Sequence, residues 1–185
     1  MVKIQGEKVY LRDFEKSDLT DRYLAWLNDQ ETNKYSRRRF FKTSAKDALD
    51  YFNSFKKGGA FLAIIDKKTE KHIGNATLTL LDKIQNIAEQ AILLGDKDFW
   101  GKGLGGESWF LTTRYGFHTL KFRKITAGTV NPFMAKIMEN QGWVREGISR
   151  KVFLEGGIYL DEKVFGIFKE EFEKHTKDLK RGARS

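Results

Sequence analysis

The chain has no cysteine, one proline and three histidines in 185 residues. Without cysteine there are no disulfides, no thiolate metal ligands and no cysteine nucleophile, and three scattered histidines make a poor metal site. Chemistry therefore falls to oxygen, amine and backbone groups. Long apolar runs are missing too: stretches such as Ala60–Ile65 and Ala91–Leu94 fall far short of the roughly 20 residues a bilayer-spanning helix needs. No membrane role is expected. Residues Met1–Tyr10 mix charges with apolar side chains and lack an apolar segment followed by small residues, so no secretory signal is read and a cytoplasmic location is expected. Internal repeats, proline-rich linkers and low-complexity stretches are absent as well.

What is present is apolar material, 40% of the residues, with 15 Phe, 4 Trp and 6 Tyr. That is enough to offset the chain entropy lost on folding, which excludes global disorder. The length suits one domain, placed at 1–171, with a basic tail over 172–185 expected to fray after its first turn. The balance of 34 basic and 25 acidic residues, a net +9, favours anionic partners. Nucleic acid ranks low among them, because the aromatic residues are better accounted for by a core than by base stacking.

The pattern begins with a bent strand or hairpin over Val2–Asp13, interrupted at Gly6. A helix from Asp18 follows, capped by Ser17, with Leu19, Tyr23, Trp26 and Leu27 on its apolar face. A loop rich in arginine leads to a second helix capped by Thr43 or Ser44 and ended by Gly58-Gly59. Three strands, Ala60–Asp66, His72–Leu81 and Asn86–Leu94, are joined by short polar turns suited to antiparallel hairpins. A glycine cluster opens a helix over Leu104–Leu120, followed by a strand at Lys124–Val130 and a helix started by Pro132 and stopped by Gly142. Strands at Trp143–Leu154 and Ile158–Phe168 close the order, which reads as α/β or α+β with a mixed sheet.

Glycines between a strand and a helix let main-chain amides converge on an anion at the helix N-terminus. Gly101-Lys102-Gly103-Leu104-Gly105-Gly106 formally satisfies GxGxxG, yet a dinucleotide fold needs an acidic residue after the next strand, and Lys124–Asn131 has no carboxylate. GxxxxGK followed by Ser or Thr, the triphosphatase loop, does not occur either. A connector that binds nothing is the plain alternative.

With the strand before it, this turn resembles the R/Q-x-x-G-x-G/A segment of the GCN5-related N-acetyltransferases, Gly103 and Gly105 matching the two glycines and Trp100 standing where Arg or Gln is usual. Phe99-Trp100-Gly101-Lys102-Gly103, the opening Gly6–Arg12, Trp26-Leu27-Asn28-Asp29 and Ile73-Gly74-Asn75 are similar to the branch holding ribosomal-protein N-terminal and spermidine acetyltransferases. The likeness covers Val2–Glu171. It implies a mixed, mostly antiparallel sheet of about seven strands flanked by about four helices, and acetyl-CoA as donor to a primary amine without a metal.

By this resemblance the backbone of Leu93, Leu94 and Gly95 holds the pantetheine arm, an amide near Leu93 or Leu94 polarises the carbonyl, and Trp100, Gly101, Lys102, Gly103, Leu104, Gly105 and Gly106 surround the pyrophosphate. Asn131, heading a helix that closes with Gly142-Trp143, contacts the same arm. Two positions depart from the family: Met134 replaces its Ser, and Met138 the Tyr that often protonates the departing thiolate, leaving the general acid open. Glu89, four residues before Leu93, matches a general base in some members; it is otherwise a solvent-facing strand residue. Tyr159, in a Gly-x-Tyr-x-Asp segment with Asp161, is either a replacement acid or a half-buried strand residue. Trp26, Asn28, Tyr35, Arg37, Arg38 and Arg39 are assigned to the acceptor side, where the arginines either grip a phosphate-bearing acceptor or remain a solvated loop. That cluster repels polyamines and favours an amino sugar, a sugar nucleotide or a peptide N-terminus. A non-catalytic acyl-CoA-binding domain is the alternative reading, and the oligomeric state stays open between monomer and homodimer.

Overall fold

Ala60–Asp66 is apolar at nearly every position because both of its faces are covered, and it is an interior strand of the sheet, third of eight. In the computed structural model, which describes residues 2–55 and 58–182, it is β3, flanked by β1 (Lys3–Gln5), β2 (Val9–Asp13), β4 (His72–Asp82), β5 (Ile87–Leu94), β6 (Lys124–Thr129), β7 (Val144–Glu155) and β8 (Ile158–Phe168). The helices are α1 (Asp21–Asn28), α2 (Ala45–Ser54), α3 (Leu104–His118), α4 (Pro132–Asn140) and α5 (Lys169–Gly182). Strand order is β1-β2-β3-β4-β5-β6-β8-β7. All neighbours are antiparallel except β5 and β6. The fold is the expected mixed, mostly antiparallel sheet, with eight strands and five helices among the described residues. The opening segment splits into two strands at the Gly6 turn, whose Glu7 and Lys8 amides donate to the Glu107 carboxylate.

Two cores lie on opposite faces of the sheet. On one, Leu62, Ile64, Leu78, Ala88, Ile125, Phe165 and Ile167 pack against Trp109, Leu111 and Phe117 of α3. On the other, Phe61, Ala63 and Ile65 pack against Tyr23, Trp26 and Leu27 of α1 and Ala48 of α2. Phe14 stacks on Phe61 at 4.2 Å between ring centroids.

Local chemistry moved two boundaries. The first helix starts at Asp21 under a Thr20 cap, rather than at Asp18. Asp18 is drawn instead onto Arg12 by two 2.7 Å hydrogen bonds and onto the Glu15 amide at 2.8 Å, which confines Lys16–Asp18 to a 3-10 turn. At the other end, the tail expected to fray is helical to Gly182. Phe172 on it is 2% exposed and meets Phe110 and Phe117 at 5.1 and 5.7 Å, and burying such a ring contributes about 1.5–3 kcal/mol. A boundary at 171 therefore cuts through a packed helix.

The site depends on where β5 and β6 stop pairing. Their parallel ladder ends at Glu89↔Thr126. Beyond it β5 continues alongside β4 as far as Leu94↔Gly74, while β6 continues alongside β8 to Thr129↔Lys163. The two strands part. Buried Gln90 fixes β5 at the fork, donating to the Trp109 carbonyl at 2.9 Å and accepting from the Thr113 hydroxyl at 3.0 Å.

Candidate active site

The first four N–H groups at a helix start need partners from outside the helix. In α1, α2 and α4 a side chain of Thr20, Ser44 or Asn131 supplies one; α3 starts under Gly103 with no side-chain cap. Gly101 and Gly103 reach that start through left-handed backbone, φ 72° and 81°, open to glycine without a steric cost. A Cβ added at Gly101 or Gly105 would meet no atom within 4 Å. The result is an open ring of amides at the positive end of a 15-residue helix. Lys8, Lys67, Lys68 and Lys102 line a cleft beside it. Leu104 contributes only its main chain, since its side chain is buried in the core. Trp100 folds back, its indole N–H donating to the Leu94 carbonyl at 2.8 Å, and so ties the turn to the end of β5.

Where β5 leaves β6 its main chain is unpaired along one edge. The Gly95 amide donates to the Ile73 carbonyl at 3.0 Å; the alternation of an antiparallel ladder then turns the main-chain groups of Leu94 and Ile92 away from β4, toward the fork. This shifts the expected backbone contacts: the Gly95 amide is spent, the Leu94 carbonyl is taken by Trp100, and Ile92 presents both groups. Sequence alone missed Ile92, because a strand's phase cannot be read beside an irregular turn. Gly95 itself lies against the Trp26 ring, which a Cβ would approach to 2.2 Å.

A cavity of about 300 Å³ occupies the fork. One side of it is made by Gln90, Ile92, Trp109, Asn131, Met134 and Met138, the other by Tyr23, Asn33, Tyr35, Arg38, Tyr51, Asn75, Thr77 and Leu93. Side chains alternate between sheet faces along a strand, so Gln90 and Ile92 belong to the α3 face and Ala91 and Leu93 to the α1–α2 face. The cavity thus connects the two faces. Asn131 uses its side-chain oxygen to cap α4, accepting from the Phe133 amide at 2.9 Å. The Trp109 indole N–H is buried without a partner.

Of the acceptor-side assignments, Tyr35 and Arg38 line this cavity. Arg39 instead pairs with Glu155 and donates to the Lys34 carbonyl, and Arg37 approaches the Val152 carbonyl at 3.5 Å, so both tie the α1–α2 loop to the β7–β8 hairpin. Trp26 is a buried core residue, 7% exposed. Asn28 braces the chain, donating to the Leu24 and Thr43 carbonyls and accepting from the Thr43 amide. Neither lines the cavity. Lys97 binds Asp29 and Glu31; the Thr32 amide first, and Lys97 with it, hold the Asp29 carboxyl down at about 2. Tyr23, Tyr51, Asn33, Asn75 and Thr77 escaped sequence reasoning. Only Asn75 carried a signal there, within Ile73-Gly74-Asn75.

Glu89 sits in the last β5–β6 pair, at the base of the fork, on the face of Ala91 and Leu93. Glu89 is exposed, as its solvent-facing alternative had it, yet desolvation by the surrounding protein, and then the charge of Glu162, push its carboxyl above the usual range. Glu162 lies over Gly128, where a Cβ would come within 3.0 Å of its carboxyl carbon. Tyr159 is 60% exposed opposite Leu154 and is not part of the cavity wall.

Comparison with known proteins matches residues 8–144 to the acetyltransferase (GNAT) domain. The uncharacterized N-acetyltransferase p20 of Bacillus licheniformis is 27% identical over 178 residues, spanning 93% of this chain and 99% of that protein. The probable N-acetyltransferase YjcK of Bacillus subtilis (strain 168) is 26% identical over 183 residues, 92% and 99% of the two chains. In fold, the chain is similar to the spermidine N-acetyltransferase from Vibrio cholerae in complex with CoA and spermine, with a TM-score of 0.78 at 23% identity over 90% of this chain and 98% of that one.

Proposed function

Because this chain belongs to the acetyltransferase (GNAT) family, we propose that it moves an acetyl group from acetyl-CoA to a primary amine by direct transfer, the two substrates entering from opposite faces of the sheet. The observation that carries this reading is the cavity at the fork, which passes between the sheet face on which α3 packs, with its uncapped start, and a polar chamber on the other face. Acetyl-CoA, when bound, supplies an acetyl group activated as a thioester.

The residues present suit it. Free amides at Gly103–Gly106 hold the pyrophosphate with Lys102 beside them, and the open space above Gly101 and Gly105 gives it room. The Ile92 carbonyl pairs with the pantetheine arm as an added strand would, with Asn131 and Trp109 lining the same slot. The amides of Ile92 and Leu94, aimed into the fork, donate to the oxygen on which negative charge develops. Glu89, at the base of the fork and outside the cavity wall, takes a proton from the amine nitrogen through water, and the upward shift of its carboxyl favours that part. Tyr159, at the exposed hairpin, is left without a catalytic part. The acceptor is a small-molecule amine, amino sugars and sugar nucleotides included, or a peptide N-terminus.

The test is free-thiol release from acetyl-CoA with a panel of such amines, alongside calorimetric titration of coenzyme A. Amine-dependent thiol release supports the reading. Tight coenzyme A binding with no release from any amine would make this a binding domain, in keeping with Met134 and Met138 in the cavity wall.

A further inference from the structure

On the α1–α2 side of the cavity, buried polar atoms stand without partners. Asn33 is 1% exposed, and its amide nitrogen donates to the carbonyls of Trp26 at 2.7 Å and Asp29 at 2.9 Å. Those two bonds fix which end of the amide is the oxygen. That oxygen is buried with no partner, and so is the neighbouring Thr32 hydroxyl. Both residues line the cavity. A buried acceptor left unmet is costly, and a primary amine brings the hydrogens it lacks.

Charge on this side is equally one-sided. Arg38 is the one charged residue in the wall, and no carboxylate lines it. Its guanidinium lies 4.9 Å from the centre of the Tyr51 ring, which orients it without neutralising it, and among the described residues it has no ion-pair partner. Its neighbour Arg39 is spent on Glu155. Arg38 also stands on the face opposite the α3 turn, so it is separate from the pyrophosphate ring.

We infer that the acceptor is a small primary amine carrying its own anionic group, a carboxylate or a phosphate, with the amine hydrogens on Asn33 and Thr32 and the anion on Arg38. The inference rests on the acetyltransferase reading and narrows it. A polyamine meets the wrong charge at Arg38 and finds no carboxylate in the wall. The volume of about 300 Å³, space for on the order of ten waters, is enough for a small amine and its anion.

The experiment compares matched amines: β-alanine against propylamine, and O-phosphoethanolamine against ethanolamine, with spermidine as the polycation. Turnover is followed by thiol release, and each amine is also titrated calorimetrically into the protein saturated with coenzyme A, which needs no turnover. At least one anionic member should exceed its neutral twin by about 10- to 100-fold in kcat/KM and affinity, the worth of a charge-assisted bond; the pair that does so separates carboxylate from phosphate. Arg38→Met should collapse that ratio toward one while coenzyme A still binds, and Thr32→Val should weaken both twins together. Equal use of the twins, a preference for spermidine, or an R38M variant that keeps the parent ratio would overturn the inference. If coenzyme A itself fails to bind, the acetyltransferase reading falls, and this inference with it.

Discussion

Replacing Gly105 by Trp separates binding from folding. The residue is the second of α3, its φ is not in the left-handed region, and a Cβ there meets nothing within 4 Å. Leaving glycine within a helix gains about 0.5–1 kcal/mol, so the free protein should unfold within about 4 °C of the parent. The indole, however, fills the space over the amides. Losing two charge-assisted hydrogen bonds to a pyrophosphate costs about 3–6 kcal/mol, or about 10²–10⁴-fold in Kd. Calorimetry with coenzyme A measures that loss, and thermal unfolding supplies a second reading: ligand at 100 times its Kd stabilises the parent by about 2.7 kcal/mol and should barely move the variant. Gly105→Ala, with a methyl in place of the indole, should show the helix gain and keep most of the affinity. A Gly105→Trp variant that binds coenzyme A as the parent does would refute the placement of the pyrophosphate at this turn.

Replacing Glu89 by Gln should lower kcat/KM by about 10²-fold or more and leave coenzyme A affinity within about twofold. In the parent the acid limb of the pH–rate profile should fall above the ordinary glutamate value of 4.5; Glu162→Gln should move it downward by removing a neighbouring charge. An acid limb unchanged in the Glu89→Gln variant would assign the base to another group. His72, packed at 5.3–6.2 Å from Phe14, Tyr23 and Trp26, donates from its ring to the Gly74 carbonyl at 2.8 Å. Burial pushes its pKa down, outweighing the attraction of Asp18. The folded state therefore binds the His72 proton less readily than the unfolded chain, and stability should fall as pH drops below about 6.5, by up to about 1.4 kcal/mol per pH unit, until the folded value is reached. Urea unfolding at pH 7.5 and 5.5 checks this; His72→Phe should flatten the difference, and an equal difference in that variant would place the effect elsewhere.

Period and punctuation in the sequence determined most of the architecture, because both are local properties. Alternating and continuous apolar runs marked β3, β4 and β5, Ser44 and Pro132 marked helix starts, and the glycines at 101–106 marked the turn that opens α3 without any knowledge of what lay beside it. Tertiary structure decided what depends on phase and on distant partners. Whether Ile92 or Leu93 offers its main chain to the fork was set by Gly95 bonding to Ile73, and the fate of Arg37 and Arg39 was set by a hairpin more than a hundred residues away. The orphaned oxygen of Asn33 became visible only when Trp26 and Asp29 claimed its nitrogen. Local sequence specifies which conformations a segment favours; which face of each element meets a ligand is fixed by packing between segments far apart in the chain.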